Sequence, residues 1–388
     1  MSLRSLLRAA CFVAVVALLA GFTWASFQPK VRYNVPSDDF GKRMSCLYHL
    51  IYEWEGDAQV LVFGTSRTGA AISAPILAGR ATAASGAPVV VAKMSLAGAN
   101  PGLSYQIFQE YLTQHAAPDL VIFEAEQVRT SPSVVPYVNR FFTITATPDL
   151  YLDVAAGPAI QPLPQRIADA LRLLIDHYDK SLSKALSPLY GFSLTETTCT
   201  KSTVSKAPLA NADFLEKLDP AAEDYEEKLK TKAMAVLERA AETAEKKARR
   251  AVKKGIRTTA QKQGLLDESF AAHSETWETE PVWDWHYTTP AAERYFDYYR
   301  RFVDWAAAND GKVVFLRFPS YLEPPSTAAQ RQAFEAQAGA PVLVPDVALL
   351  RELYPLYRDS DHMNQAAWAT LADWIVGELR DRSMLPGQ

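Results

Sequence analysis

The sequence predicts an α/β fold in which helices cover both faces of a parallel β-sheet. Three observations indicate this fold. Short apolar runs end in glycine-rich turns, helical segments separate these runs, and the pattern lapses after residue 125 and resumes at residue 312. With 388 residues and 48% hydrophobic content, the chain can bury a large core. We therefore expect one α/β domain that is interrupted by a long insertion.

Five short segments are predicted to form the strands. They consist mainly of apolar residues and lack the strict alternation of strands with one exposed face. The segments are residues 58–63, 88–95, 120–125, 312–317 and 342–344. Because all of them should run in parallel, the residues that follow them should meet at the carboxyl edge of the sheet.

Helical spacing of apolar residues predicts the covering layers. A helix is expected over residues 103–116, and a closing helix should begin near Asn364. The closing helix carries a stripe formed by Trp368, Leu371, Ile375 and Leu379. A second set recurs at helical spacing and is interpreted as packing: Tyr295, Phe296, Tyr299, Phe302 and Trp305.

The N-terminus predicts export to the far side of a membrane. Arg4 and Arg8 precede an uncharged apolar run over residues 9–27. That length is near the minimum for a helix that crosses a hydrocarbon core of roughly 30 Å, and the arginines favour a cytoplasmic N-terminus. We interpret residues 1–27 as an uncleaved single-pass anchor in the inner membrane, with the remaining chain in the periplasm. Cleavage after Ala25 is the alternative.

The rest of the chain is divided accordingly. Residues 28–135 are predicted to form the first part of the α/β domain, residues 136–290 a mostly helical insertion, and residues 291–388 the second part. Within the insertion, residues 213–263 form a highly charged segment with a narrow alanine stripe. It is interpreted as a solvated helix or as an arm that binds a partner or a membrane surface.

Charge and cysteine content exclude several classes of function. The net charge of −4 does not indicate nucleic-acid binding. The chain contains no CxxC motif or Cys/His cluster, so no metal and no cofactor are predicted. Cys46 and Cys199 have the potential to form a disulfide in an oxidising compartment.

Ser66 is the predicted nucleophile. It lies in Gly64-Thr-Ser, where the first strand should end and a helix should begin. This placement exposes the hydroxyl at the carboxyl edge of the sheet, near backbone N–H groups that can stabilise an oxyanion. The alternative is that the serine only caps the following helix.

His362 is the predicted general base. It precedes the closing helix in Asp359-Ser-Asp361-His362, and an acid three residues earlier can orient the far ring nitrogen. Asp359 is therefore the preferred third member of a Ser-His-Asp triad. Asp361, which adjoins the histidine, is the runner-up.

These two motifs resemble the first and last blocks of the SGNH/GDSL hydrolase superfamily. Gly64-Thr-Ser66-Arg67 is similar to the first block, and Asp359-x-x-His362 is similar to the last. The resemblance covers residues 58–126 and 312–380 and implies a flavodoxin-like three-layer sandwich with an acyl-serine mechanism. It also implies that Gly98, the matching glycine of the second block, contributes to the oxyanion hole together with the Ser66 N–H.

The third block of that superfamily departs from its pattern in this chain. A Gly-x-Asn-Asp motif should follow the third strand, but residues 124–129 contain no asparagine. Gln127 and Asn100 are the two candidates for the missing oxyanion donor. The alternative is that residues near Gln127 only end the strand.

Three residues are predicted to contact substrate. Arg67 follows the nucleophile, and Arg317 ends a central strand, where it binds an anionic group or pairs with Glu124 or Glu126. Trp285 belongs to an aromatic cluster that either stacks on a sugar or acyl group or packs as a lid.

The anchor, the insertion and the degenerate third block together resemble a subgroup of SGNH-like proteins that act beside membrane-bound O-acyltransferases, in teichoic acid D-alanylation and alginate acetylation. The resemblance implies O-acylation of an exported polysaccharide or cell-envelope glycan. The expected partners are a membrane-bound O-acyltransferase and a glycan or lipid-linked acyl donor. A plain periplasmic carbohydrate esterase or lipase is the first alternative, and a non-catalytic scaffold is the second.

Overall fold

The computed structural model describes residues 39–97, 99, 101–125, 290–319, 326–358 and 361–387, with isolated positions elsewhere. The chain divides into two compact units. One comprises Met1–Leu50 and Ser131–Cys199, and the other comprises Ile51–Thr130 and Thr200–Gln388. The described part of the first unit is mainly the helix Asp39–Tyr48, in which Cys46 is disulfide-bonded. Its partner, predicted to be Cys199, lies outside the described residues.

The second unit contains all the described strands. Residues His49–Glu53 form a π-helical turn, and the 3-10 turn Tyr354–Leu356 follows the helix Val347–Leu353. The helices and strands are α1 (Asp39–Tyr48), β1 (Val60–Phe63), α2 (Ser66–Ala71), α3 (Ala74–Ser85), β2 (Val91–Lys93), α4 (Pro101–Leu112), β3 (Leu120–Glu124), α5 (Pro290–Ala308), β4 (Lys312–Leu316), α6 (Ala328–Ala338), β5 (Val342–Leu343), α7 (Val347–Leu353) and α8 (Ala367–Asp381).

The sheet has five strands in the order β2-β1-β3-β4-β5, and every neighbouring pair is parallel. This order is consistent with a flavodoxin-like sandwich. The predicted α/β class and the five predicted strands are confirmed, although each strand is shorter than its apolar segment. The largest difference is at β2, where only three residues of the segment 88–95 pair as a strand.

Alternate strand residues face two different helical layers. On one face, α5 packs against α4 and β4 through a cluster of aromatic rings, among them Phe63, Phe108, Phe123, Phe302 and Phe315. On the other face, aliphatic strand residues pack beneath α3 and α8, among them Val60, Val62, Ile122, Val314, Leu371 and Ile375. Both predicted helical stripes therefore contribute to packing, with Trp305 only partly buried.

A polar cluster at the amino edge joins α4 to the chain that enters β1. The Tyr111 hydroxyl accepts a hydrogen bond from the Ala58 N–H at 3.0 Å, and its ring stacks on His115. Burial raises the pKa of Tyr111 to about 12. The cluster lies at the end of the sheet opposite to the carboxyl edge, and it stabilises the packing of α4.

Several predicted features lie outside the described residues. Among the residues that are described, no helix is both long and apolar enough to cross a bilayer. The predicted anchor over residues 1–27 and the insertion over residues 136–290 are described only at isolated positions. Both remain predictions, as do the domain boundaries.

Candidate active site

The chain turns sharply between β1 and α2, and Ser66 is the first residue of that helix. Thr65 is the N-cap, since its hydroxyl accepts a hydrogen bond from the Arg67 N–H at 3.1 Å. The cap is therefore supplied by Thr65, which leaves the Ser66 hydroxyl available for another partner. Ser66 is half-buried at the carboxyl edge of the sheet.

His362 is held in a tight turn between the 3-10 turn and α8. Tyr357 and Met363 form an antiparallel bridge across this turn. The Arg358 N–H donates to the His362 carbonyl at 2.7 Å, and the Asn364 N–H donates to the Leu356 carbonyl at 2.7 Å. These backbone bonds define the shape of the turn that presents the imidazole.

The Nε2 atom of His362 lies 2.8 Å from the Oγ atom of Ser66. With the proton on Nδ1, the imidazole accepts a hydrogen bond from the serine hydroxyl, which is the arrangement of a nucleophile with its general base. The structure thus brings together two residues that are 296 positions apart. Asp359, the predicted third member, lies outside the described residues, and the triad remains a prediction.

Asp361, the runner-up, has a charged partner of its own. Its Oδ1 atom lies 2.7 Å from the guanidinium NH2 of Arg67, whose NH1 also donates to the Phe318 carbonyl at 3.4 Å. Arg67, predicted to contact substrate, is therefore engaged by two groups of the protein.

Glu124, the last residue of β3, holds the turn over residues 64–68 that contains Ser66, which we call the nucleophile turn. Glu124 is only 2% exposed. Its Oε2 atom accepts hydrogen bonds from the Thr65 N–H at 2.7 Å, the Thr68 hydroxyl at 2.6 Å and the Thr68 N–H at 3.3 Å. The Thr65 hydroxyl contacts both carboxylate oxygens at 3.0 Å. The acid therefore binds the residues on both sides of Ser66.

The Ser66 N–H differs from its neighbours. The N–H groups of Thr65 and Thr68 donate to Glu124, and that of Arg67 donates to Thr65. Among the described residues, no group accepts a hydrogen bond from the Ser66 N–H. It is thus available to stabilise negative charge that develops beside the serine hydroxyl.

The other predicted oxyanion donors cannot be placed, because Gly98, Asn100 and Gln127 lie outside the described residues. The loop that carries the first two begins beside the nucleophile turn, since the Leu96 N–H donates to the Gly64 carbonyl at 2.9 Å. Their roles remain predictions.

Gly64 is required by the close approach of two side chains. A Cβ atom at this position would lie 2.2 Å from the Thr68 hydroxyl and 2.6 Å from Oε2 of Glu124. Both neighbours are buried and bonded to each other, so neither can yield without breaking the Glu124 contacts.

Gly64→Ala is therefore expected to destabilise the domain by about 1–3 kcal/mol, as overpacking of a close-packed site does. The midpoint of denaturant unfolding measures this. Gly377→Ala is the matched control, because a Cβ atom added there would meet no neighbour within 4 Å and the position is in the interior of α8. The control should be neutral or stabilising. Equal midpoints for the two variants would contradict the steric argument.

The remaining predicted substrate residues lie in different environments. Arg317, which follows β4, is 2% exposed, and its NH1 donates to the Ala125 carbonyl at 3.2 Å. It does not pair with Glu124, whose contacts are to Thr65 and Thr68. Trp285 and Glu126 lie outside the described residues.

Sequence reasoning missed the roles of Glu124 and Asp361. A carboxylate that ends a strand of otherwise apolar residues was a usable signal, because such a group needs hydrogen-bond donors from a neighbouring strand end. The Arg67–Asp361 pair gave no local signal, since its members are 294 positions apart. No group of three or more metal-ligating side chains is present in the described ranges.

Comparison with known proteins does not assign this chain to a family. No protein-family model matches the sequence, and no curated protein matches it.

Proposed function

We propose that this protein is a periplasmic acyltransferase or esterase of SGNH type that acts through an acyl-Ser66 intermediate in the O-acylation of an exported polysaccharide or envelope glycan. The observation that carries the proposal is the 2.8 Å contact between Ser66 Oγ and His362 Nε2 at the carboxyl edge of a parallel sheet. The resemblance of residues 64–67 and 359–364 to the first and last SGNH blocks supports the family.

The reaction proceeds in two halves. His362 removes the Ser66 proton as Oγ attacks the acyl carbonyl, and the Ser66 N–H donates to the oxyanion. The tetrahedral intermediate collapses when the leaving oxygen takes the proton from His362, which leaves an ester on Ser66. In the second half, His362 removes a proton from the acceptor hydroxyl. The acceptor oxygen attacks the acyl-serine, and Ser66 regains its proton from His362.

The acceptor distinguishes a transferase from a hydrolase. A glycan hydroxyl as acceptor gives an acylated polysaccharide, whereas water gives a free acid. The predicted anchor and the resemblance to partners of membrane-bound O-acyltransferases favour transfer in the inner membrane, with a glycan or lipid-linked acyl donor. The same anchor would keep the catalytic domain beside that donor.

A fluorophosphonate probe tests the acyl-serine chemistry, because it phosphonylates an activated serine and releases fluoride. The full-length chain in mild detergent should be labelled on the peptide that contains Ser66, as measured by mass spectrometry. Ser66→Ala should abolish the label. Ser85→Ala is the matched control and should retain it, because the Ser85 hydroxyl is bonded to backbone groups of Thr82 and Ala87. Equal labelling of the wild type and Ser66→Ala would remove Ser66 from the mechanism.

The same preparation separates transfer from hydrolysis. With 4-nitrophenyl acetate as donor, a transferase should form an acetylated oligosaccharide when a soluble oligosaccharide is added. Both enzymes release 4-nitrophenol, but a plain esterase should transfer the acetyl group only to water and so form acetate. A chain that is neither labelled nor active would favour the scaffold.

A further inference from the structure

An ion pair connects the two segments that carry the candidate catalytic residues. Arg67 directly follows Ser66, and Asp361 directly precedes His362. We infer that the Arg67–Asp361 pair is a positioning device that holds His362 against Ser66, and that Arg67 is not a substrate-binding residue. This inference rests on the proposed acyl-serine function and extends it to residues outside the triad.

The geometry of the pair is that of a charge-assisted hydrogen bond, with 2.7 Å between the guanidinium NH2 and Oδ1. The Arg67 side chain is 17% exposed and that of Asp361 is 39% exposed. The second guanidinium nitrogen donates to the Phe318 carbonyl, just beyond β4. Arg67 thus contacts both the turn over residues 356–364, which we call the histidine turn, and the chain that leaves β4.

The described backbone hydrogen bonds of the histidine turn are internal to it. The bridge between Tyr357 and Met363 and the bond from the Arg358 N–H to the His362 carbonyl set the shape of the turn. They do not set its distance from the nucleophile turn. Among the described contacts between these two turns, the Arg67–Asp361 contact is the ion pair. Arg67 is adjacent in sequence to Ser66, and Asp361 is adjacent to His362.

Two other contacts hold the surrounding elements. The Trp368 indole N–H donates to the Ala70 carbonyl at 2.6 Å, which fixes α8 against the end of α2. The Tyr357 hydroxyl donates to the Pro319 carbonyl. These contacts set the position of the scaffold, and the ion pair then sets the separation of Ser66 and His362. A displacement of about 1 Å at this point is enough to slow the reaction strongly.

The pair also restricts what the site binds. A guanidinium that is bonded to a carboxylate and a carbonyl is a poor partner for an anionic substrate group, because binding would require exchange of an existing ion pair. The positioning role therefore predicts a loss of kcat when either member is removed, whereas a substrate role predicts a rise of KM that is specific to Arg67.

A double-mutant cycle separates the two roles. Arg67→Gln, Asp361→Asn and the double variant are compared with the wild type for turnover of 4-nitrophenyl acetate and for the rate of fluorophosphonate labelling. Each single variant should lose between about tenfold and a hundredfold in kcat and in labelling rate, with KM changed by less than about twofold. The double variant should be no slower than the slower single variant.

A charge swap provides a rescue that a merely structural role would not show. The combination of Arg67→Asp with Asp361→Arg should recover part of the labelling rate that either charge reversal alone abolishes. Glu378→Gln is the control, because Glu378 pairs with Arg382 at 3.2 Å on the exposed side of α8. This control should leave kcat unchanged.

Two outcomes overturn the inference. A rise of KM in Arg67→Gln with an unaffected Asp361→Asn would make Arg67 a substrate contact. Additive losses in the cycle would show that the residues act independently. The midpoint of thermal unfolding over the same four proteins should also be non-additive, and this second readout needs no activity. An inactive wild type would therefore refute the proposed function. Additive changes in the midpoint of thermal unfolding would refute the inferred coupling between Arg67 and Asp361.

Discussion

Replacement of His362 by alanine should lower kcat for ester turnover by on the order of 10³-fold or more, as the loss of a general base does in serine hydrolases. The physical reason is that Ser66 keeps its proton near neutral pH unless a base accepts it during attack. His362, whose Nε2 lies 2.8 Å from the Ser66 Oγ, is the proposed base. The labelling rate with a fluorophosphonate should fall in parallel, because that reaction also requires an activated hydroxyl.

Added imidazole distinguishes loss of the base from loss of the fold. The cavity left by His362→Ala can admit free imidazole, so a part of the turnover should return with increasing imidazole concentration. Ser66→Ala is the control and should show no recovery at any concentration. If His362→Ala retained wild-type turnover, the contact between His362 and Ser66 would be structural only, and the base would have to be sought elsewhere.

The sheet was predictable from the sequence because its strands are buried on both faces. The segments that became β1, β3 and β4 each contain a continuous apolar run, which is the pattern of a parallel sheet between two helical layers. β2 was harder to bound. It contains Lys93, whose ammonium group donates to the Gly69 and Ile72 carbonyls at 3.0 and 2.7 Å and is thus buried without being apolar.

The positions of Ser66 and His362 were predictable for a different reason. Parallel strands align their carboxyl ends, so a residue that follows a strand can be assigned to one edge without knowledge of the packing. Ser66 closely follows β1, and His362 precedes the closing helix. Residue type and place in the topology were therefore sufficient to expect both residues at one site.

The pairing of charged side chains was not predictable in the same way. Arg317 was expected either to bind an anionic group or to pair with Glu124 or Glu126. In the structure Glu124 contacts Thr65 and Thr68 and not Arg317, whose NH1 donates to the Ala125 carbonyl. Glu126 lies outside the described residues, so the other expectations for Arg317 stay predictions. A carboxylate takes whichever donors the backbone aims at it, and that choice depends on the tertiary arrangement of strand ends.

The contacts of Glu124 with Thr65 and Thr68 also affect the nucleophile turn, in addition to the effect inferred for the Arg67–Asp361 ion pair. The Arg67–Asp361 pair is inferred to position His362, whereas Glu124 contacts the residues on both sides of Ser66. By accepting the N–H groups of Thr65 and Thr68, the carboxylate leaves the Ser66 N–H as the one among these turn donors with no acceptor in the described residues. The turn therefore presents a hydroxyl and a backbone donor from the same residue.

Glu124→Leu should destabilise the domain by about 3 kcal/mol or more. The substitution leaves the buried hydroxyl and N–H of Thr68 and the N–H of Thr65 without their acceptor, and each unsatisfied group costs about 1–3 kcal/mol. The midpoint of denaturant unfolding measures the loss. Glu352→Leu is the matched control, because Glu352 is exposed on α7 and should have a midpoint close to the wild type.

Glu124→Gln tests whether Glu124 positions the nucleophile turn in addition to stabilising the domain. Its amide oxygen can still accept from the Thr68 hydroxyl and from the backbone N–H groups, so the loss of stability should be smaller than for leucine. The amide nitrogen, however, faces the Thr65 hydroxyl, which already accepts from the Arg67 N–H and must now redirect its proton. We expect the substitution to change both the N-cap that Thr65 provides for α2 and the direction of the Ser66 N–H. We therefore expect a lower kcat at an unchanged KM. A Glu124→Gln protein with wild-type kcat would show that the negative charge of Glu124 is not needed to hold the nucleophile turn.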